Sequence, residues 1–388
     1  MPGFEVFGKE EQDAINKIFE MNGGILFAHG FDAMRNGVYR VREFEKAFAK
    51  YMGVPYAQAV SSGSTGVKVG LKALGIKPGD EVITTCFTFV ATVEAILEIG
   101  ARPVLVDIND TLNIDPASIA DAITDRTRAV IAVHMMGAPC QMDEIMAVAE
   151  KYGLLVFEDN AQGCGGTYKG RYLGTIGNAG SFSFDGGKTL TTGEGGMVLT
   201  SDEATYIRAR SYHDHGHEYS TTVGRGAEAA LMTGFNYRMN ELQGAIGLVQ
   251  LGKLDGMNRS TRENKRKLKD RLKGLKFQFR TLADEQGELG DALIFYVESA
   301  QGAQAFAQKM GEKGLGTKNL PDAIRWHFAK HWRHMFEEHD FYRHGYQTQW
   351  QASADILERA IALPIMVKMT DDRINEVADK VLEIAESF

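Results

Sequence analysis

Short apolar runs alternate with helical stretches of ten or more residues over the first part of the chain. This alternation predicts a mostly parallel sheet that is wrapped by helices. Ligands bind at the carboxyl ends of the strands in such a sheet, so the residues just after each run are candidate site residues. The predicted strands are 57–60, 82–84, 103–106, 129–133 and 154–157.

Patterns outside this region indicate a second, smaller unit. The predicted helices are 9–21, 41–51, 239–272, 301–313 and 371–385, and a further strand is predicted near 292–297. We therefore predict an α/β fold with a large domain over 1–255, which includes an N-terminal arm over 1–40. A small α+β domain is predicted over 256–388.

Composition narrows the function classes. The net charge of -8, from 43 basic and 51 acidic residues, argues against a general nucleic-acid binder, which needs clustered basic residues. The N-terminal sequence MPGFEVFGKEEQDAI has no basic start before an apolar core, and no run of about 18 apolar residues could span a bilayer. We expect neither a signal peptide nor a membrane partner. Cys86, Cys140 and Cys164 are too few for a disulfide framework, which favours a reducing cytoplasm.

One lysine stands in an unusual setting. Between a predicted strand over 181–184 and another over 197–200, a glycine-rich turn presents Lys188. One interpretation is a β-hairpin with a solvated lysine. The other is a lysine that forms a Schiff base with pyridoxal phosphate (PLP), because glycines on both sides leave room for a flat ligand.

Two of the predicted strands are followed by groups that suit a phosphorylated, flat ligand. The sequence Ser61-Ser62-Gly63-Ser64-Thr65 opens a helix after the first strand, where free N–H groups attract an anion. A simple serine N-cap is the alternative explanation. Phe89, after the second strand, could stack on a ring or belong to the core.

Two acids directly follow the fifth strand, in the sequence Glu158-Asp159-Asn160-Ala161-Gln162. A carboxylate next to a buried strand is unfavourable unless it is paired. A pyridinium nitrogen is such a partner. Asp159 would hold that nitrogen protonated, so that the ring can withdraw electrons from a substrate carbanion.

The motifs occur in an order that resembles a known family. The order is SSGST, FTFVAT, EDNAQ, SFSF, Lys188, TTGEGG and GFNYRMNELQGAIGLVQL. It resembles the DegT/StrS type of PLP-dependent sugar aminotransferases, over nearly the whole chain. The resemblance implies the aspartate-aminotransferase (type I) fold, with a mostly parallel, seven-stranded sheet in the large domain. Relatives that act as sugar 3-dehydratases carry histidine in place of this lysine, so Lys188 favours transamination.

The resemblance also implies a role for individual residues. Lys188 would form the Schiff base, Asp159 would pair with the ring nitrogen, and Gln162 would lie near the ring hydroxyl. Phe89 would stack on the ring. The phosphate would be held by Ser64, Thr65 and Ser183, and by Asn236 from the other subunit of a homodimer with shared active sites.

The substrates implied by the resemblance are an amino acid and a sugar. L-Glutamate is the expected donor, and its reaction would leave pyridoxamine phosphate (PMP) on the enzyme. A ketosugar would then accept the amine, and a partner dehydrogenase would supply that ketone. The alternatives are a nucleotide-linked ketosugar as acceptor, or a protein that only senses the cofactor and turns nothing over.

Histidines alternate in the sequence His213-Asp214-His215-Gly216-His217. Successive side chains of an extended chain point apart, so we expect no metal there. The resemblance implies instead a loop that crosses to the partner's active site. It makes His215 and Arg238 candidate substrate contacts.

A second unusual segment, 318–344, combines five basic residues, five histidines and several aromatic rings. If it were helical, His327 and His331 would lie one turn apart, and a zinc site would be conceivable, although a third ligand is missing. Cations and flat rings suit a carboxylated sugar better. Arg325 and Arg333 are the candidate contacts to such a ketosugar acid.

Overall fold

A computed structural model describes residues 3–21, 23–339 and 345–388 of the chain. The strands are β1 Tyr56–Val60, β2 Glu81–Thr85, β3 Arg102–Val106, β4 Thr127–Val133, β5 Leu155–Asp159, β6 Thr167–Tyr168, β7 Arg171–Tyr172, β8 Ala179–Ser183, β9 Gly196–Thr200, β10 Gln278–Phe279, β11 Ala292–Tyr296 and β12 Ala360–Pro364. The strands predicted from apolar runs therefore agree with the observed ones to within one or two residues.

The helices connect and cover these strands. They are α1 Lys9–Met21, α2 Arg40–Met52, α3 Gly63–Ala73, α4 Ala91–Glu98, α5 Pro116–Asp121, α6 Met142–Tyr152, α7 Glu203–Tyr212, α8 Glu241–Arg271, α9 Ala300–Glu312, α10 Ile324–His327, α11 Arg333–Glu338, α12 Gln351–Leu357 and α13 Asp371–Ala385. None of the helices that the structure describes combines the length and apolar character needed to cross a membrane.

Seven strands form one sheet in the order β1-β9-β8-β5-β4-β2-β3. The pairs from β3 through β8 are all parallel, and β9 alone runs antiparallel to its two neighbours. The predicted seven-stranded, mostly parallel sheet is thus confirmed. Because β5 and β8 are parallel and Asp159 pairs with Ser181, the carboxyl ends of these two strands lie side by side.

The sheet is buried on both faces, which explains why its strands read as continuous apolar runs. Helix α3 packs closely on β5. A Cβ added at Gly70 of α3 would lie 2.3 Å from a ring carbon of Phe157, so only glycine allows this approach. The close packing fixes the start of α3 relative to the end of β5.

A second sheet, β10-β11-β12, is antiparallel and packs with α9 and α13 around its own apolar core. Helix α8 links this region to the large sheet, since it contacts α2 and α13. The 31-residue helix runs without interruption through the predicted boundary at residue 255. The division at this position therefore stays a prediction.

Candidate active site

A cavity of about 300 Å³ lies at the carboxyl ends of β1, β5 and β8. Six of the residues predicted from the sequence line it, although they are up to 124 positions apart. They are Ser64, Phe89, Asp159, Gln162, Ser183 and Lys188. The position of the cavity follows the rule for open α/β sheets, in which ligands bind beyond the carboxyl ends of the strands.

Lys188 lies in the turn after β8, where its backbone N–H donates to the carbonyl of Asp185 at 2.9 Å. Its own carbonyl accepts a hydrogen bond from Gly3 at 3.2 Å, which anchors the turn to the N-terminal segment. Burial lowers the pKa of Lys188, while the negative charges of Asp185 and Asp159 raise it. β8 and β9 pair antiparallel, as the hairpin interpretation expected, but Lys188 lines a cavity in which burial favours its neutral form. Its role as the Schiff-base lysine stays a prediction.

Asp159 ends β5 and is only 5% exposed. Thr92 donates a hydrogen bond from its hydroxyl to Oδ2 at 2.7 Å, and the N–H of Ala161 donates to Oδ1 at 3.1 Å. Both carboxylate oxygens are therefore held, and the group faces the cavity. A carboxylate in this position can accept a hydrogen bond from a ring nitrogen.

Glu158, the other acid after β5, has a different environment. Its carboxylate accepts hydrogen bonds from the N–H groups of Gly174, Ile176 and Gly177 at 2.6–2.8 Å and contacts His134 Nε2 at 3.0 Å. These contacts satisfy a buried carboxylate without any ligand. Glu158 therefore supports the fold around Asp159, and Asp159 is the acid that the cavity exposes to a ligand.

Gln162 and Phe89 lie at the two sides of the cavity. The Oε1 of Gln162 accepts a hydrogen bond from the N–H of Met136 at 2.9 Å, which fixes the amide. Phe89 is 43% exposed, so its ring is not a core residue. Its centroid lies 5.5 Å from that of His327, and the two rings form an aromatic wall.

The start of α3 combines both interpretations of the serine-rich motif. Ser62 is the N-cap, because its hydroxyl accepts a hydrogen bond from the N–H of Thr65 at 3.2 Å. Gly63 and Ser64 still line the cavity together with Ser183. A Cβ added at Gly63 would lie 2.5 Å from that of Ser183, so glycine lets the helix start approach this hydroxyl. Free N–H groups and a hydroxyl at a helix N-terminus are a phosphate site.

Thr65, predicted as a phosphate contact, does not line this cavity. Its hydroxyl accepts from the N–H of Ser62 at 2.9 Å and closes the capping box, so it is used within the helix start. The predicted contact of Thr65 with a phosphate stays a prediction, because small polar residues at a helix start can serve as caps and as anion ligands.

The cavity residues fit PLP. Asp159 can accept a hydrogen bond from the ring nitrogen, and the amine of Lys188 can react with the aldehyde. Phe89 can stack on the ring, and the start of α3 can bind the phosphate together with Ser183. When bound, the cofactor supplies an electron-withdrawing ring that stabilises a carbanion.

The loop between α7 and α8 does not reach this cavity within its own chain. Asp214 is buried there, and its carboxylate pairs with Arg225 at 2.5 Å and with Arg238, while Tyr219 donates to it at 2.7 Å. Asn236 and His215 are exposed. Their predicted roles, and that of Arg238, require a second subunit and stay predictions.

The segment after α9 contributes one histidine to the cavity. His327 lines it, and its Nδ1 contacts the carbonyl of Ala323 at 2.9 Å. Burial lowers the pKa of His327, so the ring is a neutral hydrogen-bonding group. In the sequence, His327 stands out only through its spacing to His331, as a conceivable zinc ligand. Its presence beside Phe89 depends on contacts more than 200 residues apart, which no local pattern reveals.

Three backbone hydrogen bonds join this segment to the loop that carries Phe89. Thr88 N–H donates to the carbonyl of His327 at 2.8 Å. Val90 N–H donates to Trp326 at 3.1 Å, and Ala329 N–H donates to Cys86 at 2.9 Å. The two rings that form the wall are therefore positioned by one short pairing of distant segments.

The backbone between His327 and His331 lacks the helical spacing that made a zinc site conceivable. Phe328 has extended backbone angles (φ -118°, ψ 122°), so His327 and His331 are not successive residues on one helix face. The described part of the chain has no group of three or more His, Cys, Asp or Glu side chains suited to a metal ion. Residues 340–344 of the histidine-rich segment lie outside the described residues.

The two arginines predicted as sugar contacts differ. Arg325 is exposed and two residues from His327, and it has no ion-pair partner among the residues that the structure describes. Arg333 is exposed in α11 and pairs with Glu337 at 2.5 Å. Neither arginine lines the cavity. Arg325 is therefore the one that remains available near the cavity mouth.

Comparison with known proteins agrees with this site. Residues 31–382 match the sequence model of the DegT/DnrJ/EryC1/StrS aminotransferase family. The spore coat polysaccharide biosynthesis protein SpsC of Bacillus subtilis is 35% identical over 353 residues, 89% of each chain. GDP-perosamine synthase of Caulobacter vibrioides is 44% identical over 215 residues, 55% of this chain and 56% of that protein. The structure of NtdA from Bacillus subtilis with bound PMP superposes with a TM-score of 0.85 at 25% identity, covering 99% of this chain and 84% of that one.

Fold and site together define a PLP-dependent aminotransferase of the type I fold. The chain belongs to the DegT/DnrJ/EryC1/StrS aminotransferase family. It is a sugar aminotransferase that uses PLP and PMP. This result excludes the alternative of a cofactor sensor without turnover.

Proposed function

We propose that the enzyme transfers the amino group of L-glutamate to a ketosugar acid, 8-oxo-3,8-dideoxy-manno-octulosonate, to give 8-amino-3,8-dideoxy-manno-octulosonate for lipopolysaccharide. The observation that carries the transfer chemistry is the meeting of Lys188 and Asp159 in one cavity beside the start of α3. The sequence LPDAIRWHFAKHWRHM, residues 320–335, supports the sugar acid, because it resembles the aminotransferase that makes this product. Arg325 supports it as well, because its guanidinium is exposed and has no ion-pair partner in the described part of the chain, and a guanidinium binds carboxylates well.

Lys188 would move the proton. A neutral Nζ at the cavity wall takes a proton from the α-carbon of the donor, and the lowered pKa of Lys188 makes the neutral form available. Asp159 would keep the ring nitrogen protonated. His327 and Phe89 would restrict the cavity on one side and limit the entry of water.

The proposal extends to the partners. We infer a homodimer in which Asn236 from one subunit reaches the phosphate site of the other, and His215 and Arg238 reach the substrate. A dehydrogenase that oxidises the sugar at the carbon to be aminated would supply the ketone. The cytoplasm is the proposed location of both reactions.

A nucleotide-linked ketosugar is the second candidate acceptor. The identity of 44% with GDP-perosamine synthase over 215 residues favours it. A nucleotide diphosphate would need cations outside the cavity. Arg325 and Lys330 lie two and three residues from His327 in the sequence, and Lys330 pairs with Glu358 at 3.3 Å. The two acceptors differ in charge and length, so they can be separated directly.

A half-reaction screen tests the proposal. The PLP-loaded enzyme is mixed with L-glutamate, and the loss of the absorbance of the aldehyde form is followed. The resulting PMP form is then offered the octulosonate ketone or a nucleotide-linked 4-ketosugar. We expect the sugar acid to restore the original absorbance faster. Faster recovery with the nucleotide sugar would contradict the proposed acceptor, and no spectral change with glutamate would contradict the proposed donor.

A further inference from the structure

Two threonines adjoin Asp159 and, like it, line the cavity: Thr92, the second residue of α4, and Thr88, in the loop before that helix. Their hydroxyl oxygens are 2.7 Å from each other, and that of Thr92 is 2.7 Å from Asp159 Oδ2. Both threonines are buried. A chain of two hydroxyls therefore leads from the Phe89 loop to the carboxylate that faces the cavity.

The direction of these hydrogen bonds follows from the chemistry of the groups. An ionised carboxylate only accepts, so Thr92 donates to Asp159. The oxygen of Thr92 then accepts from Thr88, because each hydroxyl has a single hydrogen. The other possible acceptor for Thr88, the carbonyl of Phe89, is more distant at 3.3 Å. Both hydroxyl hydrogens are therefore directed toward Asp159.

The carboxylate is held from two sides. Thr92 occupies Oδ2, and the N–H of Ala161 occupies Oδ1. With one fixed donor on each oxygen, the carboxylate plane cannot rotate without loss of a hydrogen bond to a charged group, and such hydrogen bonds are stronger than neutral ones. Two of the four lone-pair positions of the carboxylate are thereby used, and each oxygen keeps one for a donor in the cavity.

We propose that Thr92 is a positioning residue for Asp159, and that Thr88 supports it. The proposal rests on the proposed function, in which Asp159 contacts the ring nitrogen of the cofactor. Thr88 also donates its backbone N–H to His327. The hydroxyl chain thereby connects the group at the ring nitrogen to the loop that bears Phe89, the group at the ring face.

A structural role alone would give a different result, and Thr84 is the matched comparison. Thr84 is buried in β2 and donates to the carbonyl of Ile131 at 3.2 Å, so it satisfies a buried hydroxyl without contacting the cavity. Thr92→Val and Thr84→Val each remove one buried hydroxyl of the same shape. Thr92→Ser retains the hydroxyl and removes a methyl group.

The experiment measures the dissociation constant of PMP, the single-turnover rate with glutamate, and the free energy of unfolding for each variant. We expect Thr92→Val to weaken PMP binding and to slow the turnover, each by about tenfold, because a hydrogen bond to a charged group is lost. Thr92→Ser should stay within about threefold of wild type, and Thr84→Val should change neither quantity. Thr88→Val should have an intermediate effect.

The same substitution in the Asp159→Asn variant tests whether the effect of Thr92 depends on the carboxylate of Asp159. In Asp159→Asn, the further change Thr92→Val should alter PMP affinity by less than about twofold, because the charged acceptor is gone. An equal loss in both backgrounds, or equal behaviour of Thr92→Val and Thr84→Val, overturns the proposal. If Thr92→Val does not fold, PMP binding by Thr88→Val is compared with that of Thr84→Val and measured in both Asp159 backgrounds. The same outcomes then support or overturn the proposal. PMP binding is measured without a substrate, so a failure of glutamate as donor leaves this test intact.

Discussion

The predicted site residues form two groups that occupy different parts of the structure. The first group lines one cavity: Ser64, Phe89, Asp159, Gln162, Ser183 and Lys188. The second group lies on surface segments and does not line that cavity: His215, Asn236, Arg238, Arg325 and Arg333. The first group follows the carboxyl ends of strands of the large sheet, whereas the second lies in segments outside it.

The difference shows which site residues can be predicted from a sequence on physical grounds. Parallel strands end at the same edge of a sheet, so residues that follow them must converge, as Asp159 of β5 does with Ser183 at the end of β8. A surface segment has no such constraint. Its charges pair with neighbours, as Arg333 does with Glu337, or await a partner chain.

The largest expected effect tests the first group. Lys188→Ala should slow both half-reactions by about a thousandfold or more, because the amine that moves the proton is lost. The free energy of unfolding should stay the same or rise, because burial disfavours the charged form of this amine and alanine has no polar group to bury. Rates of the two half-reactions and a denaturation curve check these expectations.

Borohydride reduction of the PLP-loaded enzyme provides a second measurement of the same residue. The wild type should give one tagged peptide, which contains Lys188, and the variant should give none. Lys169→Ala, which removes an exposed lysine paired with Asp143, is the control and should behave as wild type. A tag on any other lysine would contradict the site.

Much of the fold and the polar part of the cavity could be predicted because they depend on local patterns. The apolar runs gave the strands, and the acids and the lysine followed strand ends. Thr92 and His327 could not be predicted in this way. Thr92 contacts Asp159 across 67 positions, and His327 meets the Phe89 loop through backbone hydrogen bonds. A single sequence contains no periodicity that reports such contacts.

The sequence predicts no metal at His327 and His331, although their spacing made a zinc site conceivable. That spacing requires one helix from His327 to His331, whereas the backbone at Phe328 is extended. The extended residue lets Ala329 donate its N–H to Cys86, so a tertiary hydrogen bond replaces a helical one. The spacing of the histidines in the sequence gives no sign that a tertiary hydrogen bond competes with a helical one at this position.

The second prediction concerns the pH dependence of Lys188. Cofactor attachment to the cofactor-free enzyme requires the neutral amine, so its rate should rise with pH through the pKa of Lys188, which burial lowers below that of a free lysine. The charge of Asp185 raises that pKa. Asp185→Asn should therefore move the rise in rate to lower pH. Asparagine can still accept the hydrogen bond that Gly187 donates to Oδ1 at 2.8 Å.

Stopped-flow absorbance at a series of pH values measures this shift. Asp143→Asn is the control, because that carboxylate is exposed and pairs with Lys169. Its profile should superpose on that of the wild type. A shift of the Asp185→Asn profile to higher pH would contradict the assigned electrostatics of the cavity.

The smallest expected effect separates two members of the second group. The guanidinium of Arg325 has no ion-pair partner among the described residues, whereas that of Arg333 pairs with Glu337. Arg325→Ala should therefore raise the KM for the sugar acid by about two- to fivefold, as expected for the loss of one exposed ion pair. Arg333→Ala should change the KM by less than about twofold.

Neither variant should affect the glutamate half-reaction, because neither side chain lines the cavity. Steady-state kinetics with the ketosugar and single-turnover kinetics with glutamate measure the two steps separately. An equal loss in both steps would mean that Arg325 supports the fold or the donor site. A larger effect of Arg333→Ala would mean that the sugar acid displaces Glu337 and extends along α11, so that surface segments contribute more to recognition than the exposed positions of their side chains indicate.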